Sequence, residues 1–443
     1  MKKGLLVCNC TLFAILCVFV FSPLRLDTDI IRLFAMALPA ATGGAYGTDQ
    51  FPPFYPHLLC FLMKLGWCNS VVLLTINFIA LLAAMFLFYK IMQLNGCTFC
   101  ESMLALAAIQ LSWCVAKHVL LPQTDILLLP FFIASLFGIM RAERSIALSR
   151  KMLWFVVATI FALIAMTIRI AAIPLFAVIA IVATGITPKN VFVICKKKMF
   201  WVCVLSLVGT FAIGLLLAVK FTEFDAQGGY FRAFRAFMSR GSASEILKVI
   251  WDHLDEIMQL SANVSTARIP RLIATIGTVV MPIVFGATLI KGWSWLDWGL
   301  LLALLGYGLE IFLWPYSSAR FFLPVYPIAA MLVVHFVVRL WHDRKALRLI
   351  VACYVSAFAF MGVISWGWLA RQWCFGKDFY RHTSEHSLAQ AYRNAYMVKI
   401  KDISQFDKTF PVFILKKFDP LHALKEGDLR MEDYVKFGMQ TVP

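Results

Sequence analysis

Arg25-Leu26-Asp27-Thr28-Asp29-Ile30-Ile31-Arg32 places two carboxylates and two guanidinium groups directly after a long apolar run. A carboxylate beside a membrane can take the proton of an acceptor hydroxyl. Arginine offers forked donors to phosphate oxygens and stays charged. Other residues of these types are scattered along the chain: Asp49, His57, Lys117, His118, Asp125, Arg169, Glu310 and Arg320. A glycosyl transfer whose leaving group is a phosphate needs one base and cations for the departing anion. The second acid used by glycosidases is then not obligatory. The plainer reading is that charges at the ends of membrane spans are wet and snorkel to water. Arg169 and Glu310 resist it, because both are closely flanked by apolar sequence, where ionisable groups face a cavity and find partners.

The elements that must carry these residues are membrane helices. Of 443 residues 61% are apolar and 15% charged, against nearer a half and a quarter in soluble domains. Apolar runs predict about eleven spans, within a range of ten to thirteen, at 4–24, 70–92, 101–117, 122–140, 152–168, 169–187, 199–219, 273–291, 295–313, 319–340 and 348–370. Residues 152–187 would make one helix of about 54 Å, too long for a bilayer core of about 30 Å, so a hairpin is expected at Arg169. The run 101–140 divides likewise within 117–125. The first run is read as an uncleaved anchor because it lacks a clear small-x-small cleavage site. With the N-terminus inside, inner segments hold sixteen Lys and Arg and the short outer segments six, the asymmetry of the positive-inside rule. The net charge of +17 is therefore read as topological, with no nucleic-acid partner.

This topology puts every residue of the chemical set on one face. It leaves two large outer segments, 25–69 and 220–272. The first has an apolar-periodic stretch at 29–41 expected to lie along the interface. The second contains an Arg/Phe-rich stretch at 226–241 that suits either an interfacial helix or a solvated loop, and an Asn263-Val264-Ser265 sequon. Residues 1–370 form the transmembrane module and 371–443 an outer tail. Its turn signals and the strand-like PVFILKKF at 411–418 predict a small α/β appendage. Cys68 and Cys374, both outer, are placed to pair, whereas Cys97-x-x-Cys100 has no second ligand pair and makes a poor metal site.

Four motifs then occur in order. Asp29-Ile30-Ile31-Arg32-Leu33 resembles D-x-x-R-Y, and Phe51-Pro52-Pro53-Phe54-Tyr55-Pro56-His57 resembles P-P-x-x-Y/P. Thr124-Asp125 precedes an apolar run, and Arg320-Phe321-Phe322-Leu323-Pro324-Val325-Tyr326-Pro327 resembles R-[YF]-x-L-P-x-x-P. Over residues 1–340 the chain resembles the GT-C superfamily of membrane glycosyltransferases, especially protein mannosyltransferases and lipid A aminoarabinose transferases. The resemblance implies an all-α GT-C-type transmembrane bundle and an inverting transfer from a polyprenyl-phosphate sugar donor to a lipid, glycan or protein acceptor. It assigns the base to Asp29 or Asp27, with the Arg32 spacing favouring Asp29. Arg320, Arg169, Lys117, Arg32, Tyr55 and His57 would bind the donor phosphate and lipid. Asp125, Glu310 and His118 would position substrate or an ion. Relatives carry Glu-Lys where this chain has Gln50-Phe51, so Lys117, Arg169 or Arg320 would replace that lysine. A divalent cation, Mg2+ or Mn2+, serves some relatives, though no ligand spacing here demands one. The expected location is a bacterial inner membrane with an extracytoplasmic active site. A lipid-linked glycan polymerase or ligase, and a transporter or flippase, are the competing readings.

Overall fold

The computed structural model describes residues 2–22, 24, 28–46, 51–185, 242–264, 269–314, 316–374, 414 and 417–419. Regular structure among them is helical, with no strand. The helices are α1 (Lys2–Val18), α2 (Thr28–Ala41), α3 (Phe54–Lys64), α4 (Ser70–Leu94), α5 (Phe99–Leu111), α6 (Trp113–Val119), α7 (Thr124–Glu143), α8 (Leu148–Ile168), α9 (Pro174–Ala183), α10 (Ala243–Ala262), α11 (Arg271–Gly292), α12 (Trp298–Leu313), α13 (Tyr326–Asp343) and α14 (Arg348–Cys374).

Among the described residues six helical segments are long and apolar enough to cross a membrane: Lys2–Phe21, Ser70–Leu94, Thr124–Glu143, Leu148–Ile168, Arg271–Gly292 and Lys345–Trp368. The chain is thus an all-α protein with the helices of a multi-pass membrane protein. The remaining predicted spans take other forms. The span expected at 101–117 is the pair α5 and α6, bent by 60° at Ser112. Those at 169–187 and 295–313 are shorter apolar helices. The one at 319–340 is a 3-10 turn, Ala319–Phe322, followed by α13. Residues 199–219 and 226–241 lie outside the described residues.

Helix α7 forms the centre, packed between α4 and α8. Small residues allow the close approach of α7 and α8. A Cβ on Gly138 would come within 3.0 Å of Ala158, and Ala158, Ala162 and Ala165 are fully buried. In a bilayer, where lipid tails compete equally for apolar side chains, such small-residue seams drive helix association.

Several ends are set by readable caps. Asn69 accepts from the Val72 amide at the start of α4. Thr98 with Glu101 and Ser242 with Glu245 form capping boxes at α5 and α10, each satisfying two orphan groups of the first turn. The 152–187 run breaks at Arg169, which is extended (φ −155°, ψ 128°). Pro174 then opens α9 from its first position, where its missing N–H costs nothing.

Three expectations need correction. Stretch 29–41 is helical, but Ile30, Ile31, Leu33, Phe34 and Ala37 are at most 1% exposed, so it packs into the core against α3 instead of lying open on the interface. Strand-like PVFILKKF gives no described strand: Ile414, Lys417 and Phe418 are helical, and the apolar Ile414 and Phe418 join the main core. Burial against helices, not pairing with another strand, satisfies its apolar residues. Cys68 is a free, buried thiol. Next to that thiol's segment, Asp419 accepts from the Leu24 amide at 2.8 Å and the Ser70 hydroxyl at 3.1 Å. The Phe418 ring packs at a tilt against Phe34, with centroids 5.0 Å apart. This tail segment therefore sits at the same end of the bundle as the α1 exit and the α4 entry.

Candidate active site

Arg320 is the hub. It sits on the 3-10 turn before α13 and spreads its fork over three segments. Nη2 donates to Asp29 Oδ2 at 2.5 Å, and Nη1 donates to Gln123 Oε1 at 2.8 Å. Asp125 Oδ2 lies 3.8 Å from Nη1, and the other oxygen of Asp125 pairs with Arg169. The Phe321 ring stands between the two cations, with Arg169 4.9 Å and Arg320 5.4 Å from its centroid. Guanidinium groups favour such aromatic faces. Burial is graded: the Asp125 side chain is 2% exposed, Arg169 12%, Arg320 18% and Asp29 28%. The pair at Asp29 is the one that reaches solvent.

Local structure explains the placement. Asp29 and Asp125 each lie in the first turn of a helix, where unpaired amides and the macrodipole favour a carboxylate. The turn before α7 is held from α4. Asn77 donates to the Val119 and Leu121 carbonyls at 3.0 and 2.7 Å, satisfying backbone oxygens left over at the end of α6. Gln123, 1% exposed, joins Arg320 to His118, its Nε2 lying 3.1 Å from His118 Nδ1. With Oε1 taken by Arg320, Nε2 must donate, so Nδ1 accepts and the ring proton sits on Nε2.

The remaining candidates surround this cluster unevenly. The charges of Lys117, Arg320 and Arg169 all act on the buried His118, so Lys117 belongs to the same cationic neighbourhood. It also lies 5.9 Å from the Trp113 ring. Arg169 also acts on Glu310, whose Oε2 is buried with no hydrogen-bond partner among the described residues. Arg32 is half-buried on α2. Tyr55 is 1% exposed inside the core. His57 is exposed and its Nδ1 is 2.7 Å from the Tyr46 hydroxyl. Asp27 and Asp49 lie outside the described residues.

Among the described residues no three His, Cys, Asp or Glu side chains stand together as a ligand set. The two carboxylates that do converge meet on a guanidinium.

Helix α10 supports the cluster from behind, and Ser242-x-x-Glu245 makes its start legible in the sequence. His253 is fully buried. Its Nδ1 is 3.1 Å from Glu256 Oε2 and its Nε2 3.0 Å from the Trp314 carbonyl. The ring packs against Phe312 and Phe322, and so braces the turn that carries Arg320. At the end of α10, Asn263 adopts a left-handed conformation (φ 56°, ψ 40°). It accepts from the Trp113 amide at 2.7 Å and donates to the Leu111 and Phe358 carbonyls, both at 2.9 Å. One side-chain amide therefore repairs the break between α5 and α6 and ties it to α14. The sequon reading is overturned here, because Asn263 is fully buried and its amide nitrogen is engaged twice.

Comparison with family descriptions, curated proteins and solved structures finds no match for this chain.

Proposed function

We propose that this chain is an inverting membrane glycosyltransferase. It would move a sugar from a polyprenyl-phosphate carrier to a hydroxyl of a lipid, glycan or protein on the extracytoplasmic side. In this reading the acceptor O–H gives its proton to Asp29 while its oxygen attacks the anomeric carbon. The bond from that carbon to the phosphate oxygen breaks on the opposite face, and its electron pair stays on the lipid phosphate. Arg320 and Arg169 balance the negative charge that collects there, the electrostatic contribution that is usually the largest in such reactions. Asp125, already held by Arg169, keeps both guanidiniums in place.

The observation that carries the reading is the meeting of Asp29 with Arg320 across 291 positions of sequence. Asp125 of a third motif touches the same guanidinium. Residues chosen for their chemistry from three separate motifs form one charged cluster, open to solvent on the side of its least buried carboxylate. A buried ion-pair network that only fastens helices is the alternative, and it predicts no dependence of chemistry on Asp29.

The experiment uses purified full-length protein in lipid nanodiscs with a panel of polyprenyl-phosphate sugars. The sugar is chosen by mass spectrometry of lipid-linked sugars that accumulate in a deletion strain. Asp29→Asn should lower transfer by about 10²- to 10⁴-fold, the usual contribution of a general base, and Arg320→Lys should lower it too. Full transfer by the Asp27→Asn/Asp29→Asn double variant refutes the mechanism. Movement of the carrier across proteoliposomes with no new glycosidic bond decides for a transporter.

A further inference from the structure

We infer that Asp29 and Arg320 form an exchangeable latch, in which the ligand-free site holds the base on the cation that the donor phosphate will claim. The inference rests on the glycosyltransferase reading and adds an order of events to it. Arg320 has two arms with different tasks. One is fixed by Gln123, whose side chain is itself buried between Arg320 and His118. The other is on Asp29, the most exposed member of the cluster. Asp125 is not free to exchange in the same way, being 2% exposed and paired with Arg169 as well.

A carboxylate that accepts a short charge-assisted bond has a lone pair committed to the guanidinium. It is a poor base while so held, since that contact favours its ionised form. The phosphodiester of the sugar donor brings a negative charge and two free acceptor oxygens to the same fork, and its charge grows as the sugar leaves. It takes the Asp29 arm of Arg320, while Gln123 and the Phe321 face keep the guanidinium in position. Asp29 is then released beside a donor already bound. Carrier binding precedes activation of the acceptor, and the base is not available in an empty site.

The test measures binding, not turnover. Wild-type protein and variants are titrated with micellar polyprenyl phosphate and, separately, with inorganic phosphate. Asp29→Asn should bind both probes more tightly, by roughly five- to thirtyfold, between what an exposed and a buried ion pair are worth. Asp29→Ser serves as a second variant should the amide itself bond Arg320. Asp252→Asn removes a carboxylate on α10 without touching the Arg320 fork, and should tighten binding by less than threefold. Arg320→Gln should lose most of the affinity. Tightening with polyprenyl phosphate at lower concentration than inorganic phosphate identifies the lipid as the source of the phosphate. Tightening with equal affinities supports the latch for the phosphate group alone. Unchanged or weaker binding in both Asp29 variants overturns the latch and leaves the transfer reaction standing. Equal tightening by Asp252→Asn overturns it in favour of bulk charge. Absence of binding to wild type and variants alike overturns the latch together with the function on which it rests.

Discussion

Replacing Asn263 by alanine removes one small side chain from the junction of α5, α6, α10 and α14. It leaves the Trp113 amide and the Leu111 carbonyl without this partner, and takes from the Phe358 carbonyl the bond it makes beyond its own helix. An unsatisfied buried polar group costs about 1–3 kcal/mol. Two such groups, discounted because they share one cavity, come to about 2–5 kcal/mol. Alanine must also hold a left-handed backbone that asparagine tolerates, adding about 1 kcal/mol. Asn263→Ala should therefore destabilise the protein by about 3–6 kcal/mol, among the largest effects of single substitutions. Asn263→Gly makes the same polar loss without the backbone penalty and should recover about 1 kcal/mol. The assay is reversible unfolding of purified protein in mixed micelles at increasing fractions of denaturing detergent, followed by tryptophan fluorescence. A loss below about 1 kcal/mol in both variants would refute the view that this amide holds the broken helix together.

Further outcomes follow from neighbouring contacts. Gly362 sits on α14 where an added Cβ would meet the Leu111 carbonyl oxygen at 2.5 Å and Asn263 Nδ2 at 3.1 Å. Gly362→Ala should cost about 1–3 kcal/mol as overpacking, measured in the same unfolding assay. Asp419→Ala orphans the Leu24 amide and the Ser70 hydroxyl. It should cost about 2–4 kcal/mol and speed limited proteolysis of the tail. The seat of α10 should depend on pH. Burial pulls His253 down, but its bonds to Glu256 and the Trp314 carbonyl and the charges of Glu256 and Asp252 raise it on balance. Burial raises Glu256, against the bond and charge of His253, with Asp255 and Asp252 adding to the rise. Raised groups stabilise the fold at low pH and lose that contribution as pH rises through their folded values. Hydrogen exchange over 243–262, corrected for intrinsic rate, should be slower near pH 6 than near pH 8.5, and His253→Gln should flatten the difference.

Sequence exposed most where a single local cause was sufficient. The apolar runs at 70–92, 122–140 and 152–168 became α4, α7 and α8 because length and hydropathy leave little else for them to be. The break at Arg169 was legible because a 36-residue helix cannot fit one bilayer. The convergence of Asp29, Asp125 and Arg320 followed only from ordered motifs and sidedness, since no local property of Asp29 points to a residue 291 positions away. Gln123 carries no signal in the sequence and Asn263 only that of a sequon, because an amide gains its meaning from what it faces, and an amide in a polar turn looks like any other. The kink at Ser112 escaped for a similar reason: its stabilising partner is Asn263, on another helix. Helix α10 is legible in its capping box, while the Arg/Phe-rich stretch before it reads equally well as an interfacial helix or a solvated loop.

Asp419 meets Leu24 across 395 positions and Ser70 across 349, and this separation has a consequence for biosynthesis. The α1 exit and α4 entry leave the ribosome long before the residue that joins them. Until residues 414–419 are made, Phe34 on the helix of Asp29 lacks its aromatic neighbour and the Leu24 amide lacks its acceptor. The nascent chain can insert its helices one after another, but the corner that bears Asp29 is finished only after residues 414–419 have followed. Chains terminated before residue 414 would reach the membrane with that corner unbraced and recognisable to quality-control proteases.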